Sequence, residues 1–461
     1  MRAAHSDLFE GGQKELFTFR GRILNPISPR TIQELVDGCL VVDGNGRIVQ
    51  IGDWSKITSS LKTRVFDFRG QLIVPGLIDL HTHLPQYGLP PPDESDFLSW
   101  FEHLVYAAEK KFTDANYARK LANRFFTDLL ANGTTTACIF TTTKATSTHV
   151  CFEEAEKVGV RVIMGKDNMD RNVPDDFLEE TDQSVATSLD LCGRWHGKDS
   201  GRLLYAFSPR SASVCSKGLL RSIGEAAKST KAYIQTHLAE NLEDISWFRE
   251  QHGSNVNYTG LYNQCGILGP RTIVGHAVFL RPSELQLIKE SRTAIAHCPG
   301  SNLLLRSGLF DILDVTSSRL LVGLGSDVGA TPRPSIFDTM RDAISMERAC
   351  RLTRQGLVSW RNFSTKKTRS LSKDALSARF TAENAFYMAT QGAARALKLE
   401  ANIGSFGVGK EADFLVLDLP STYTKRRGQH LSSDIIGLLA WQGGKELVQR
   451  VFIRGREVYR A

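Results

Sequence analysis

The sequence of 461 residues predicts an α/β protein, a parallel (β/α)8 barrel with a small β-sandwich that both ends of the chain form together. Three observations support this prediction. About eight short apolar runs alternate with longer helical patterns through the middle of the chain. Both ends consist instead of short strands separated by turns. Polar and histidine residues gather where the apolar runs stop, as expected when parallel strands finish at one mouth of a barrel.

The first segment, residues 1–70, is predicted to form the N-terminal part of the sandwich. Residues 17–24 read as one strand. Residues 38–52 read as two strands joined by a turn at residues 43–46, whose letters are Asp-Gly-Asn-Gly. Asp, Asn and Gly at adjacent positions favour the tight turn of a β-hairpin.

The middle segment, residues 71–399, is predicted to form the barrel. A barrel and an open parallel sheet share the same local pattern, and the strand count favours the barrel. Helices that cover the strands are predicted at residues 96–110, 116–130 and 374–396. The strand candidates are residues 72–83, 133–140, 160–165, 202–207, 232–237, 271–276, 293–298 and 320–327.

The last segment, residues 400–461, is predicted to complete the sandwich with strands at 413–418 and 448–459 and a turn at Gly455. Within it, Gly404–Glu411 nearly matches a phosphate-binding loop. That loop needs Ser or Thr on Mg²⁺ where Glu411 stands, and a helix must follow it rather than a strand. We therefore exclude a nucleotide-binding loop here.

Composition is that of an ordinary globular protein, with 41% hydrophobic and 23% charged residues and a net charge of +7. Lys and Arg gather at residues 351–373, without aromatic residues interleaved in a binding pattern. The segment is predicted to be a solvated, mobile surface loop, and no nucleic-acid partner is expected.

The cysteines and the N-terminal segment indicate the compartment. The eight cysteines are irregularly spaced and form no C-x-x-C pair, which favours reduced thiols over disulfides. Residues 1–13 lack the apolar run of a signal peptide. No run approaches eighteen apolar residues, so neither a membrane span nor a membrane partner is expected. These observations favour a cytoplasmic protein.

Five of the eleven histidines end strand candidates, and a barrel would bring them to one mouth. Two of them are one residue apart and share a face of their strand, because side chains alternate along a strand. Asp327 ends the last candidate strand and adds a carboxylate. Imidazoles with one carboxylate suit Zn²⁺, or Fe²⁺, when a coordination position is left for water. The five are His81, His83, His237, His276 and His297.

Glu240 is the candidate general acid and base. It lies three residues after His237, where a strand end turning into a loop can bring both side chains toward the metal. A metal-activated water needs a group that takes its proton, and the leaving group needs a proton in return. One carboxylate can do both in sequence.

Taken together, these motifs resemble the amidohydrolase superfamily, and within it the group of guanine deaminases. The superfamily motifs are Pro75–His83, Thr236-His237 with Glu240, His276, His297–Asn302, Gly325–Asp327 and Gly404–Phe414. The likeness to the guanine-deaminating group is in His83–Tyr87, Asn132–Cys138, Gly165-Lys166, Met169-Asp170, Ser208–Arg210 and His237–Asn241. The resemblance extends over nearly the whole chain.

The resemblance implies a TIM-like metal-dependent hydrolase barrel and a homodimer with one zinc ion per subunit. The ion would be held by His81, His83, His237 and Asp327. His276 would hydrogen-bond the zinc-bound water, and Glu240 would shuttle protons, so Glu240, His276 and Asp327 form the implied catalytic set. The implied reaction is hydrolytic deamination of guanine to xanthine and ammonia, in purine catabolism.

The resemblance also implies how the purine is held. Gln86 and Arg210 match positions that hold the base, because an amide can pair with a purine edge and a guanidinium can face its carbonyl oxygen. Ser211 departs from the pattern, since the related enzymes have a phenylalanine there that packs on the base. That contact is worth about 1 kcal/mol. The implied substrate-binding residues are His83, Gln86, Arg210, Ser211, His237, Glu240 and Asp327.

Ser211 keeps other substrates open: an aminated or halogenated heterocycle such as a pterin, a triazine or an adenosine-like ring could be handled by the same machinery. Hydrolysis of cyclic amides is disfavoured, because the dinuclear relatives bridge two metals with a carboxylated lysine and no lysine stands at a matching strand end here. Lys166 lies close enough to be checked. A non-catalytic scaffold would predict the loss of a ligand or of Glu240, and the sequence retains them all.

Overall fold

The computed structural model describes residues 15–57, 63–90, 97–354, 379–420 and 432–461. Within these ranges it contains sixteen strands. They are β1 Leu16–Ser28, β2 Thr31–Asp43, β3 Ile48–Asp53, β4 Arg64–Pro75, β5 Leu77–His83, β6 Thr134–Phe140, β7 Arg161–Gly165, β8 Asp167–Asn168, β9 Leu203–Pro209, β10 Tyr233–Leu238, β11 Thr272–His276, β12 Ala294–His297, β13 Leu321–Leu324, β14 Phe414–Leu417, β15 Val448–Ile453 and β16 Arg456–Arg460.

Helices follow most of the barrel strands. Those of eight residues or more are Ala115–Ala131, Ala145–Val158, Thr181–Trp195, Lys217–Thr230, Leu242–His252, Pro282–Ser291, Ile336–Arg354 and Ser432–Gln442. Shorter helices are Trp54–Ile57, Phe97–Trp100, Tyr106–Lys111, Lys198–Gly201, Tyr258–Gln264, Pro299–Leu304, Ile312–Ser317, Ala382–Met388 and Gln391–Ala396. A π-helical turn, Phe101–Val105, and two 3₁₀ turns, Leu84–Gln86 and Lys445–Leu447, complete the helical structure of the described ranges.

Eight parallel strands form a nearly closed barrel in the order β5-β6-β7-β9-β10-β11-β12-β13, which confirms the predicted fold class. Strand β8 pairs with β9 outside this path. Strands β13 and β5 close the barrel through contacts past the end of β13, where the amide of Asp327 donates to the carbonyl of His81 at 2.8 Å. The carboxyl ends of the strands therefore meet at one mouth.

A seven-stranded mixed sheet unites the two ends of the chain, as predicted, in the order β16-β15-β14-β4-β1-β2-β3. The predicted hairpins are present as β2-β3, with its turn at residues 44–47, and as β15-β16, with Gly455 in the turn. Phe19 lies at the centre of the aromatic core of this sheet, where it contacts Phe66, Phe414 and Phe452. The segment boundaries at residues 70 and 399 stay a prediction.

The single strand predicted at residues 72–83 is wrong, because the chain divides at Gly76. Strand β4 ends at Pro75 and belongs to the mixed sheet, where it pairs with β14, whereas β5 begins at Leu77 and belongs to the barrel. A side chain at residue 76 would lie 2.1 Å from the hydroxyl of Thr135. Glycine therefore permits the close approach at which the chain passes from one sheet to the other.

A buried ion network joins the barrel to the mixed sheet. The guanidinium of Arg161, on β7, donates to Asp413 at 2.8 Å and to Glu411 at 2.5 Å. Glu411 also accepts from Arg454 at 2.9 Å. These contacts explain Glu411 at the position where a phosphate-binding loop would need Ser or Thr, because its carboxylate is part of this structural network.

Four further sequence predictions concern the cysteines, a helix, a loop and membrane-spanning segments. All eight cysteines are buried and free of disulfide bonds, as predicted. Within the described ranges, the helix predicted at 374–396 is present as Ala382–Met388 and Gln391–Ala396, with a break between them. Residues 374–378 lie outside those ranges. Residues 351–354 of the predicted loop end a helix, and the rest of it, 355–373, also lies outside. None of the described helices is long and apolar enough to span a bilayer.

Candidate active site

A cavity of about 660 Å³ opens at the mouth of the barrel, and its wall contains all but one of the implied metal-binding, catalytic and substrate-binding residues. The exception is His81, which is buried against the wall residues rather than exposed to the cavity. The predicted residues in the wall are His83, Gln86, Arg210, Ser211, His237, Glu240, His276 and Asp327. Residues from five barrel strands and the loops after them thus converge, as the prediction required.

Three imidazoles lie within ligand distance of one another, and the carboxylate of Asp327 lies within ligand distance of two of them. The Nε2 atom of His83 lies 3.3 Å from that of His81 and 3.1 Å from that of His237. Oδ1 of Asp327 lies 3.4 Å from His81 and 3.3 Å from His83. Zinc bonds of about 2.0–2.1 Å put neighbouring ligand atoms about 3.0–3.4 Å apart. The spacing and the chemistry of these donors therefore fit a zinc ion.

The ring orientations and charges agree with that fit. Nδ1 of His237 lies 2.7 Å from the carbonyl oxygen of Arg210 and donates to it, which leaves the lone pair of Nε2 for a metal. Burial lowers the pKa of His81, His83 and His237, so these rings are neutral at pH 7. Burial would raise the pKa of Asp327, but the neighbouring histidines outweigh it and hold that pKa well below its usual range.

Asp79 ties the two ends of the ligand set together, and the sequence prediction gave it no role. Its Oδ1 accepts from the backbone amides of His81 at 3.1 Å and Ser326 at 3.0 Å. Its Oδ2 accepts from the hydroxyl of Ser326. This carboxylate therefore bridges the first strand of the barrel and the residue before Asp327. A buried acid inside an otherwise apolar strand was the available signal.

The backbone at the mouth adopts a conformation that non-glycine residues rarely take. Ala239, His276, Ala277 and Asp327 all have positive φ, between 46° and 64°. Such residues cost about 1–3 kcal/mol each and concentrate at functional sites, where the surrounding structure holds them in place. All four are predicted site residues or direct neighbours of one.

Glu240 and His276 face each other beside the ligand set. Nε2 of His276 lies 3.8 Å from Oε2 of Glu240 and 3.7 Å from Oδ2 of Asp327. Its Nδ1 lies 2.9 Å from Oδ1 of Asn302 and donates to it, which fixes the ring. Burial raises the pKa of Glu240 to about 7. Burial works to lower the pKa of His276, but the carboxylates of Glu240 and Asp327 raise it overall.

The expectation that all five strand-end histidines share one site fails at His297. Both of its ring nitrogens are buried without a hydrogen-bond partner among the described residues, and the ring stacks on Phe310 at 4.7 Å. Burial lowers its pKa to about 3. Its neighbour Cys298 lies within ligand distance of His81 and His276 instead, but burial raises the pKa of that thiol well above its usual value. A protonated thiol is a poor metal ligand.

Lys166 is not placed to bridge metals. Its ammonium donates to both oxygens of Glu179, at 2.7 and 2.6 Å, and to the carbonyl of Asp167 at 2.9 Å. These bonds occupy all three of its protons. This geometry agrees with the expectation that no carboxylated lysine bridges two metals here.

Gln86 and Arg210 meet at a buried glutamate that the sequence prediction missed. Oε1 of Glu109 accepts from Nε2 of Gln86 at 3.2 Å and from Nη1 of Arg210 at 2.8 Å. The guanidinium also lies 4.7 Å from the ring centroid of Phe101, in a cation–π contact. Glu109 lies in a helical pattern without a motif, so only its burial distinguishes it.

The wall around Ser211 mixes polar and apolar groups. Val214, Trp247 and Asp244 line the cavity with it. Oδ1 of Asp244 accepts from the hydroxyl of Ser213 at 2.9 Å, and burial raises the pKa of this carboxyl to about 6. Ser211 therefore borders the cavity beside two apolar side chains and a buried acid.

Comparison with known proteins gives consistent matches. Residues 72–458 match the model of the Amidohydrolase family. The chain is 33% identical to a guanine deaminase of Escherichia coli over 92% of this chain and 91% of the relative. The solved structure of a guanine deaminase from Bradyrhizobium japonicum is similar over 97% of this chain and 100% of that chain, with a TM-score of 0.88 and 28% identity. The structure of a guanine deaminase from C. acetobutylicum with bound guanine is similar over 96% of this chain and 100% of that chain, with a TM-score of 0.85 and 26% identity.

Proposed function

The chain belongs to the amidohydrolase family, and we propose that it is a zinc-dependent deaminase that converts guanine and water to xanthine and ammonia. One observation carries the proposal: a single cavity wall contains ligand histidines, an acid–base carboxylate, and the amide and guanidinium suited to a purine. The guanine bound to the C. acetobutylicum relative supports the choice of substrate.

We assign the metal to His81, His83, His237 and Asp327. Three neutral imidazoles and a carboxylate suit Zn²⁺ best, with Fe²⁺ as the second choice. When bound, such an ion lowers the pKa of a water molecule to near 7 and so makes a nucleophile available at neutral pH.

Glu240 moves the proton in the proposed reaction. Its carboxylate accepts a proton from the attacking water as the new C–O bond forms at the carbon that carries the exocyclic amine. It then donates that proton to the amine nitrogen as the C–N bond breaks and ammonia leaves. A pKa of about 7 suits both steps, because a group with a pKa near the working pH can accept and donate.

His276 and Asp327 complete the proposed catalytic set. The bond from Nδ1 of His276 to Asn302 directs Nε2 toward Glu240 and Asp327. In this position Nε2 can hydrogen-bond the attacking water and orient it. The lowered pKa of Asp327 keeps its carboxylate ionised, so that it would bind the metal and also face the ring of His276. Together with His83 and His237, Asp327 also lines the space for the base.

Gln86 and Arg210 are proposed to hold the base. The Arg210 guanidinium can donate to the carbonyl oxygen of guanine, and the Gln86 amide can pair with a ring edge. The hydrogen bonds of the Arg210 guanidinium to described residues all use Nη1, so Nε and Nη2 remain for a ligand.

A second candidate is deamination or hydrolysis of another aminated or halogenated heterocycle by the same groups. Ser211 favours it, because this side chain lines the cavity and offers no aromatic ring of its own to pack on the base. A pterin, a triazine or an adenosine-like ring would occupy that space. A homodimer, a cytoplasmic location and a role in purine catabolism remain predictions.

The two candidates are separated by a substrate panel. Purified protein of measured zinc content is incubated with guanine, a pterin, an aminotriazine and adenosine, and ammonia release is followed with the ultraviolet spectrum. Guanine should be turned over with the highest kcat/KM. If the protein turns over another compound of the panel but not guanine, the proposed substrate is wrong and the proposed hydrolytic chemistry still holds.

A further inference from the structure

We propose that Glu109 is a positioning residue that sets substrate selectivity by holding Gln86 and Arg210 so that together they bind a lactam edge, the adjacent N–H and C=O of a cyclic amide. The proposal rests on the proposed function, which assigns Gln86 and Arg210 to the base. Glu109 itself is absent from the cavity wall and would act through these two side chains.

Glu109 is almost fully buried, at 1% exposure, and its bonds point toward the cavity residues. Oε1 accepts from Gln86 at 3.2 Å and from Arg210 at 2.8 Å, and Oε2 accepts from Arg210 at 3.0 Å. An ionised carboxylate only accepts hydrogen bonds. The amide of Gln86 must therefore direct Nε2 to Glu109, because its carbonyl oxygen would repel the carboxylate.

The fixed amide presents one kind of group to a ligand. With Nε2 engaged, Oε1 of Gln86 has no hydrogen-bond partner among the residues that the structure describes, and the side chain lines the cavity. This oxygen can only accept. Arg210 offers the opposite, since a guanidinium can only donate.

The two side chains are neighbours, because Nε2 of Gln86 and Nη1 of Arg210 both bond to the same atom, Oε1 of Glu109. An acceptor beside a donor matches the adjacent N–H and C=O of a lactam, which guanine has and 2-aminopurine lacks. A site built to hydrogen-bond a polar edge rejects an analogue without it, because its own buried groups are then left unpaired.

Gly329 provides the room that this arrangement needs. A β-carbon at residue 329 would lie 2.2 Å from Oε1 and 2.6 Å from Cβ of Gln86, and its φ of +116° is in the region that favours glycine. The backbone after Asp327 therefore leaves space for the Gln86 side chain in the position that Glu109 holds.

The test compares selectivity in Glu109→Gln with that in a matched control. A glutamine at 109 can both donate and accept, so it no longer dictates which end of the Gln86 amide faces the cavity. The control is Glu154→Gln, because Glu154 is also buried and accepts from an arginine, Arg119, at 3.0 Å and from an amide, Asn123, at 3.1 Å, outside the cavity wall.

The readout is the ratio of kcat/KM for guanine to kcat/KM for 2-aminopurine, with zinc content measured on each sample. E109Q should lower this ratio at least tenfold and raise KM for guanine more than it lowers kcat, and E154Q should leave the ratio unchanged. The effect of E109Q should largely disappear in a Gln86→Ala background, because the pair acts as one unit. An unchanged ratio in zinc-loaded E109Q would overturn the proposal.

Two further measurements keep the proposal open to rejection. If E109Q does not fold with zinc, Glu109→Asp tests the proposal instead. The shorter carboxylate keeps its charge beside Arg210 but withdraws from Gln86. A wild-type ratio of kcat/KM in E109D would overturn the proposal. If the wild-type protein binds guanine but does not turn it over, the proposed function is wrong while the role of Glu109 is still testable. The ratio of the dissociation constants for guanine and 2-aminopurine, in wild type and E109Q, then replaces the ratio of kcat/KM. Binding of neither base would overturn both.

Discussion

The Nε2 atoms of His83 and His237 lie 3.1 Å apart, although 154 positions separate the two residues in the chain. The barrel brings them together, since β5 and β10 are parallel and end at the same mouth. Two neutral imidazoles whose lone pairs point at each other repel unless a proton or a cation lies between them. Because Asp327 adds a carboxylate at 3.3 Å from His83, a divalent cation satisfies all three groups.

Glu240→Gln tests the proton transfer separately from metal binding. The amide keeps the shape of the side chain but cannot accept the proton of the attacking water. We expect zinc content to stay at wild-type level and kcat to fall by about 10²–10⁴-fold. Parallel measurements of metal content and ammonia release decide it, and activity near wild type would show that Glu240 is not the proton shuttle.

Ser211→Phe tests where the base lies. An aromatic ring in the open space beside Val214 and Trp247 should pack on guanine and contribute about 1 kcal/mol, which corresponds to about a fivefold lower KM. The metal site should be unaffected, so zinc content is the internal control. A KM that stays the same or rises would place the base elsewhere in the cavity.

Asp79→Ala tests the bridge between the two ends of the ligand set. Its loss leaves the amides of His81 and Ser326 buried without an acceptor, at a cost of about 1–3 kcal/mol each. Loss of such an outer partner lowers metal affinity by about 10–100-fold. Asp79→Asn retains an accepting oxygen and should recover most of both losses. Equal zinc affinity in D79A and wild type would show that Asp79 does not support metal binding.

Arg161→Met tests the ion network between barrel and mixed sheet. Removing the guanidinium leaves Glu411 and Asp413 buried without their main partner, which should lower the free energy of unfolding by about 3–5 kcal/mol at pH 7. The measurement is urea unfolding, with zinc content and kcat of the folded protein as controls, because the network lies outside the cavity wall.

The same network predicts how the stability of the fold depends on pH. Burial works to raise the pKa of Glu411, but Arg161 and Arg454 outweigh it and lower that pKa overall. A carboxyl with a lowered pKa stabilises the fold fully above its unfolded pKa of about 4.3, and this contribution is lost as pH falls through the folded value. Urea midpoints measured below pH 5 should therefore fall less steeply in R161M than in wild type, and equal slopes would contradict the assignment.

The alternation of apolar runs and helical patterns predicted the barrel. Apolar runs that end in His or Asp indicate both a strand and the mouth at which it finishes, so five histidines and Asp327 were predicted to meet there, and the family resemblance implied which four would bind the metal. The same reasoning failed for His297, because the end of a strand does not specify the side to which the final ring turns. That ring packs on Phe310 instead.

Two features depended on contacts that a sequence pattern does not contain. The change of sheet at Gly76 occurs inside one apolar run, and only the approach of Thr135 explains it. Glu109 lies in an ordinary helical pattern, and its bonds to Gln86 and Arg210 join residues 23 and 101 positions away. Such long-range pairs become visible only when the fold brings them together.

The most direct test of the central claim is ammonia release from guanine by protein whose zinc content is measured on the same sample, for wild type, His237→Ala and His297→Asn. We expect one zinc ion per chain in wild type and in H297N, with one ammonia and one xanthine formed per guanine consumed. H237A should lose the zinc and at least about 10²-fold of the activity. Wild-type activity in zinc-free H237A, or no ammonia from guanine with zinc-loaded wild type, would contradict the account.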